Sequence, residues 1–227
     1  MQDEQSCNHA YLNAFYQQHK SGFDPHFNSR MRRSLSWLKR AEQETDDLHA
    51  GYIFYWISFN AGYSPSFEED LRQSETDKTA EYFRRLAKYD EKQLIYDIIW
   101  ERYSQEIKGL FDNHYIYAPF WKVANPMVDE SWKTGFETSK QKTLIALKNQ
   151  DSAMLLSLLF SRLYVLRNQL IHGQATWNGP RNRQQVQDGY KIISKLQPVF
   201  LSIMLNRPEA DWGEVSFELF TGEVEDY

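Results

Sequence analysis

The stretch that most restricts the fold is the apolar run 153–165, in which Arg162 is the single charge. It is too long for an ordinary strand and falls short of the roughly 18 residues of a membrane span, so it has to be a buried helix. Its end is polar: Leu166-Arg167-Asn168-Gln169-Leu170-Ile171-His172-Gly173. An arginine, an amide and a histidine on a core helix lower stability unless they meet partners or line a cleft. That end is therefore where function is sought.

Helical spacing dominates the rest of the chain, and the 10 glycines and 7 prolines leave long stretches unbroken. Residues 4–20 place Tyr11, Leu12, Phe15 and Tyr16 on one side. A second helix opens at Pro25 and Asn28-Ser29 and reaches about Thr45, with Met31, Leu35 and Leu38 inward. Its polar side carries Arg30, Arg32, Arg33, Lys39 and Arg40, either a solvated face or a basic flank for an RNA backbone. Asp46-Asp47 caps a third helix, 48–63, which is apolar nearly all round and so expected to be central. Asn60, near its end, is expected to be a satisfied core amide or a cap.

Residues 67–77 form a polar connection, after which Asp77 caps a helix to about Tyr89. Asp90-Glu91 starts the next, with Leu94, Ile95, Ile98, Ile99 and Trp100 as its core stripe. Residues 115–121 are aromatic and irregular, expected as core filler under a loop more than as base-stacking platforms. Residues 131–148 form a helix with Trp132, Phe136, Leu144 and Leu147 apolar, and Asn149 or Asp151 caps the run at 153–165. A polar loop, 174–182, leads to a last long helix at about 183–205, bent at Pro198. Residues 215–219 alternate like a short strand. The expected architecture is all-α, one helical domain over 1–207 with a C-terminal extension, 208–227.

Composition narrows the function. Hydrophobic residues at 41% provide a real core, and a net charge of −5 argues against a surface that grips nucleic acid all over, though not against a local basic cleft. Cys7 is the only cysteine, so no disulfide framework or thiolate metal site is expected. Met1-Gln2-Asp3-Glu4-Gln5 is unlike a secretory signal and no apolar run is long enough for a membrane span, which gives a cytoplasmic expectation with no membrane partner. His9, His19, His26, His49 and His114 are not paired with acids at ligand spacing, and no metal or cofactor is expected.

On a helix Tyr164, Asn168 and His172 share a stripe, and Arg167 borders it, while Arg162 emerges elsewhere. Histidine trades protons near neutral pH, arginine offers a fixed positive fork to a phosphate, and asparagine orients either. Arg and His in a last turn before Gly are also how an ordinary helix stops, and spacing alone leaves both readings open.

Arg167-Asn168-Gln169-Leu170-Ile171-His172 resembles the Arg-x4-6-His signature of HEPN (higher eukaryotes and prokaryotes nucleotide-binding) domains. The wider segment 162–173 is similar to stand-alone prokaryotic members and the ApeA-like group. The resemblance implies a HEPN-like bundle of antiparallel helix pairs and a metal-independent endoribonuclease working as a homodimer, with two motifs facing each other across one cleft. It implies His172 as acid/base, Arg167 as phosphate clamp and Asn168 as orienting residue, with cleavage through the ribose 2′-hydroxyl, in defence or stress. An antitoxin or regulatory protein is an implied partner. Gln174 stands where members modified by a nucleotidyltransferase antitoxin carry tyrosine, so that arrangement is not expected. Tyr164, Arg181 and Arg183 are candidates for RNA contact at the rim. The alternatives are a catalytically inactive HEPN-like domain that binds RNA or protein, and a structural dimer with the polar triad buried in its interface.

Overall fold

The computed structural model describes residues 7–63, 75–123, 125, 129–180, 182–213 and 215. Among these the chain is all helical, with nine α-helices packed against one another and no strand. The helices are α1 (His9–His19), α2 (Pro25–Glu42), α3 (Leu48–Tyr63), α4 (Glu75–Tyr89), α5, α6 (Ser104–Asp112), α7 (Trp132–Lys148), α8 (Ser152–Ile171) and α9 (Arg183–Leu205). The α5 element starts as a turn at Leu94–Tyr96 and continues as a π-helical stretch, Asp97–Arg102. Three 3-10 turns, Lys20–Gly22, His114–Ile116 and Ala118–Lys122, join them.

The termini follow from local chemistry. The carboxylate of Asp24 accepts from the N–H groups of His26 and Phe27, with Pro25 set at the first helical position. Asp47 Oδ1 accepts from His49 N (2.8 Å) and Ala50 N (3.2 Å), Asp90 caps Leu94 and Ile95, and Asp151 accepts from Met154 N. α1 begins at His9, capped by Asn8, and α4 begins at Glu75, so Asp77 lies inside the helix it was expected to cap. The expected strand at 215–219 lies outside the described residues except for Val215, as does the connection at 67–77 up to the start of α4.

Four helices meet in an aromatic centre. Phe59 of α3, Phe83 of α4, Phe160 of α8 and Phe200 of α9 are all buried, with Phe59 and Phe160 at 4.5 Å and Phe83 and Phe160 at 4.9 Å between ring centroids. Burying each such ring contributes on the order of 2–3 kcal/mol. A polar clasp lies in the same core. The Ser34 and Ser58 hydroxyls each donate to the other's carbonyl, at 2.7 and 2.8 Å, and both accept from Gln197 Nε2. It ties α2, α3 and α9 in one register.

Two arginines overturn the sequence reading. Arg30, placed on the polar face of α2, is fully buried and donates to the carbonyls of Gly62 and Gly213. Arg162, expected to emerge, is 2% exposed. It lies over the rings of Tyr117 (4.5 Å), Phe136 (5.2 Å) and Phe111 (6.0 Å), and donates to Ser139 Oγ at 3.2 Å. Leu144, one of the apolar residues read along α7, is exposed along with Ile145, while Thr143 and Ala146 are buried. The segment 115–121 divides: Ile116 and Phe120 are buried, Tyr115 and Trp121 exposed.

Candidate active site

The motif sits on the last turns of α8, whose inner side is held by Leu155, Leu156, Leu159, Leu163 and Leu166, all buried. Three contacts fix that turn. Tyr52, buried on α3, donates its hydroxyl to the Leu163 carbonyl at 2.7 Å. Burial pushes the Tyr52 phenol well up, against the opposing pull of the nearby Arg167 charge, so it stays a donor. Gly189 of α9 comes so close that an added Cβ would lie 3.0 Å from Leu166 and Tyr52 carbons. Gln169, expected in the motif only as a spacer, is buried and donates to the Tyr115 carbonyl at 2.7 Å.

The outer side of α8 carries the chemistry. Tyr164 is 36% exposed, Asn168 half-buried and His172 exposed, on one stripe. Half-buried Arg167 extends along that stripe. Its Nη1 donates to Asn168 Oδ1 at 2.8 Å, and its guanidinium lies 5.1 Å from the Tyr164 ring centre and 5.7 Å from that of Trp56. Among the described residues no carboxylate pairs with Arg167, and its Nε is buried without an acceptor. The arginine is thus oriented by an amide and two rings and keeps an uncompensated charge.

His172 closes the helix. Its N–H bonds to the Asn168 carbonyl at 2.9 Å, Gly173 N–H to Leu170 at 3.3 Å and Gln174 N–H to Gln169 at 2.8 Å, with Gly173 at φ +65°. This is a Schellman cap, and it satisfies the last carbonyls without using the imidazole. Among the described residues no side chain bonds the His172 ring.

The loop after the cap is latched to the start of α3. Trp177 Nε1 donates to Asp47 Oδ2 at 2.9 Å, and Asn178 N–H donates to His49 Nε2 at 3.3 Å. Partial burial raises the Asp47 carboxyl, but the bonds from Trp177, Ala50 and His49 outweigh it and the net shift is downward. Arg183, proposed for the cleft rim, donates to the Asn178 carbonyl at 2.8 Å and so belongs to this latch. Arg181 lies outside the described residues.

Comparison with family models, with curated proteins and with solved structures finds no match to this chain. The site must speak for itself.

Tyr164, Arg167 and Asn168 come together as spacing predicts, while Trp56 was missed, because it arrives from a helix more than 100 residues earlier. Asn60 was misjudged. It is half-buried, its side-chain amide makes no hydrogen bond among the described residues, and it lines a groove beside Tyr164. No group of three or more His, Cys, Asp or Glu placed to hold a metal ion is present among the described residues. No helix there is long and apolar enough to cross a membrane.

Proposed function

We propose that this chain is a metal-independent endoribonuclease of the HEPN type that acts as a homodimer, cytoplasmic and in defence or stress. The observation that carries the reading is Arg167: a half-buried guanidinium with no carboxylate partner among the described residues, aimed by Asn168 and two aromatic rings, on the same helix end as the unbonded His172 ring. His172 takes the proton of a ribose 2′-hydroxyl, whose oxygen attacks the adjacent phosphorus. Arg167 stabilises the charge on the phosphorane, and the bond to the 5′-oxygen breaks as that oxygen gains a proton. The products are a 2′,3′-cyclic phosphate and a 5′-hydroxyl. DNA lacks the internal nucleophile and is left intact.

The dimer completes the centre. α3 is apolar nearly all round, yet Ile53 and Ile57 stay half-exposed, and α8 exposes Tyr164 and Ile171. A second copy covering this face brings two motifs together, and an antitoxin or regulatory protein would compete for it. One observation favours the rival reading of an inactive RNA- or protein-binding domain: the cap geometry at His172 also serves simply to end a helix.

The test is RNA cleavage in the presence of a chelator, with end-group analysis. Arg167→Ala is expected to lower the rate by about 100-fold or more and His172→Ala by about 100- to 10,000-fold, both with unfolding temperatures near wild type. Varied RNAs left intact by the pure wild-type protein, or cutting that survives His172→Ala, would refute the nuclease.

A further inference from the structure

Beside Arg167 lies a groove of about 210 Å³ between α3, α4, α8 and the turn Ala118–Lys122, to which the cleavage chemistry gives no role. Its floor is Phe59 and Phe160, 4.5 Å apart, and Tyr63 and Tyr164 rise from it. Trp56, whose ring carries the Arg167 guanidinium, forms the end wall. The volume is below the roughly 300–1,000 Å³ of a drug-sized pocket but suits one planar ring system. Phe59, Phe160 and Trp56 are themselves buried, so the ring surface open to an occupant is that of Tyr63 and Tyr164, which can hold a planar ring by stacking whatever its identity.

Asn60 adds the selectivity that stacking lacks. Its amide offers a donor and an acceptor, and among the described residues neither is engaged. Two of the neighbouring hydroxyls already donate elsewhere, Ser157 to the Ala153 carbonyl and Ser161 to that of Leu158. An unengaged amide in an aromatic slot is the arrangement that recognises the polar edge of an unstacked base. Charge complementarity sets the occupant's other end, since the Arg167 cation at the rim seeks an anion.

We infer that the groove is a base-binding subsite, taking the base of a nucleotide whose phosphate Arg167 holds, with Asn60 reading the base edge. The inference rests on Arg167 as the phosphate ligand, as proposed above. It makes the chain selective for single-stranded RNA with an unstacked base at the scissile step.

The experiment titrates the full chain, in chelator, with the common nucleoside 3′-monophosphates and with inorganic phosphate, by calorimetry. At least one nucleotide is expected to bind roughly tenfold or more tightly than phosphate, the worth of one stacked base. Ser161→Phe, which fills the groove from an exposed position, is expected to bring nucleotide and phosphate to parity, and Asn60→Ala to change the ranking among bases. Thermal unfolding of both variants verifies that they fold. Nucleotides binding no better than phosphate, or a preference that survives Ser161→Phe, overturns the subsite. If Ser161→Phe shifts only the monomer–dimer balance, the groove belongs to a protein interface and the subsite is likewise overturned. RNA cleavage followed in parallel separates the two claims. Cutting that is indifferent to base refutes the subsite and leaves the nuclease, whereas a base preference in binding without cutting supports the subsite and refutes the nuclease.

Discussion

Arg162 is a buried cation whose guanidinium meets three rings and a serine but no carboxylate among the described residues. Burial pulls it down to about 10, so it remains charged at neutral pH. At ~1.4 kcal/mol per pH unit that shift is a penalty on the order of 3 kcal/mol. The sign follows from proton binding: between about 10 and its ordinary value the unfolded chain holds the proton more firmly, so this contribution to stability improves as pH rises through that window. Below it the penalty is present in full. Cation–π contacts return about 0.5–2 kcal/mol for each well-placed ring, and Tyr117 and Phe136 are the near ones. The net is close to zero.

Arg162→Met removes the penalty, keeps the volume, and replaces the cation with a thioether over the same rings, worth about 0.3–1.5 kcal/mol. It should be neutral or stabilising by about 1–2 kcal/mol, raising the unfolding temperature by about 2–4 °C per kcal/mol. Arg162→Lys keeps the charge but loses the flat fork that stacks, and should destabilise by about 2 kcal/mol. The measurement is thermal and urea unfolding of the three proteins. A methionine variant less stable than the lysine variant would sink this account of the pocket.

Three further perturbations follow from single contacts. Asp47→Ala removes the α3 cap and the Trp177 anchor together, costing about 1–2 kcal/mol and speeding hydrogen exchange and proteolysis at 174–180; unchanged exchange would remove the latch. Because its hydrogen bonds hold the Asp47 carboxyl below the ordinary range of an aspartate, the same loosening should appear in wild type only as pH falls below that range, the charged form being the one that is bonded. Gly173→Ala meets open space but a left-handed backbone, and should cost about 1 kcal/mol by unfolding while fraying the turn that presents His172. Gln197→Leu withdraws the donor shared by Ser34 and Ser58, and should cost about 1–3 kcal/mol; a gain in stability would mean that the clasp holds nothing.

What was legible in the sequence is what local chemistry decides. The bounds of α3, its Asp47 cap and the Asp151 cap of α8 follow from residues within one turn of each helix end. The stripe of Tyr164, Asn168 and His172 follows from helical period alone. Arg30 was misplaced because its acceptors arrive from 32 and 183 residues away, and no periodicity contains them. Trp56 and Asn60 escaped for the same reason: α3 is apolar on every side, so its sequence does not tell which residues meet α8 and which line an open groove. Leu144 falls eight residues after buried Phe136, the spacing of a core stripe, yet it is exposed, which periodicity alone does not reveal.

The helix phase bears directly on whether the proposed site needs two chains. Residues five apart on an α-helix differ by about 140° in direction and about 7.5 Å in rise. Arg167 lies against Trp56 of α3, while His172 is the capping residue at the helix end. If the arginine of one protomer works with the histidine of its partner, mixing Arg167→Ala and His172→Ala proteins under subunit exchange should restore cutting. Each mixed dimer then has one centre with both mutations and one with neither. Random exchange makes half the dimers mixed, so recovery should reach about a quarter of wild-type activity. If both groups act from the same chain, every centre in the mixture lacks one of them and the mixture stays inactive. A silent mixture, with sedimentation showing that subunits have exchanged, would refute the shared centre.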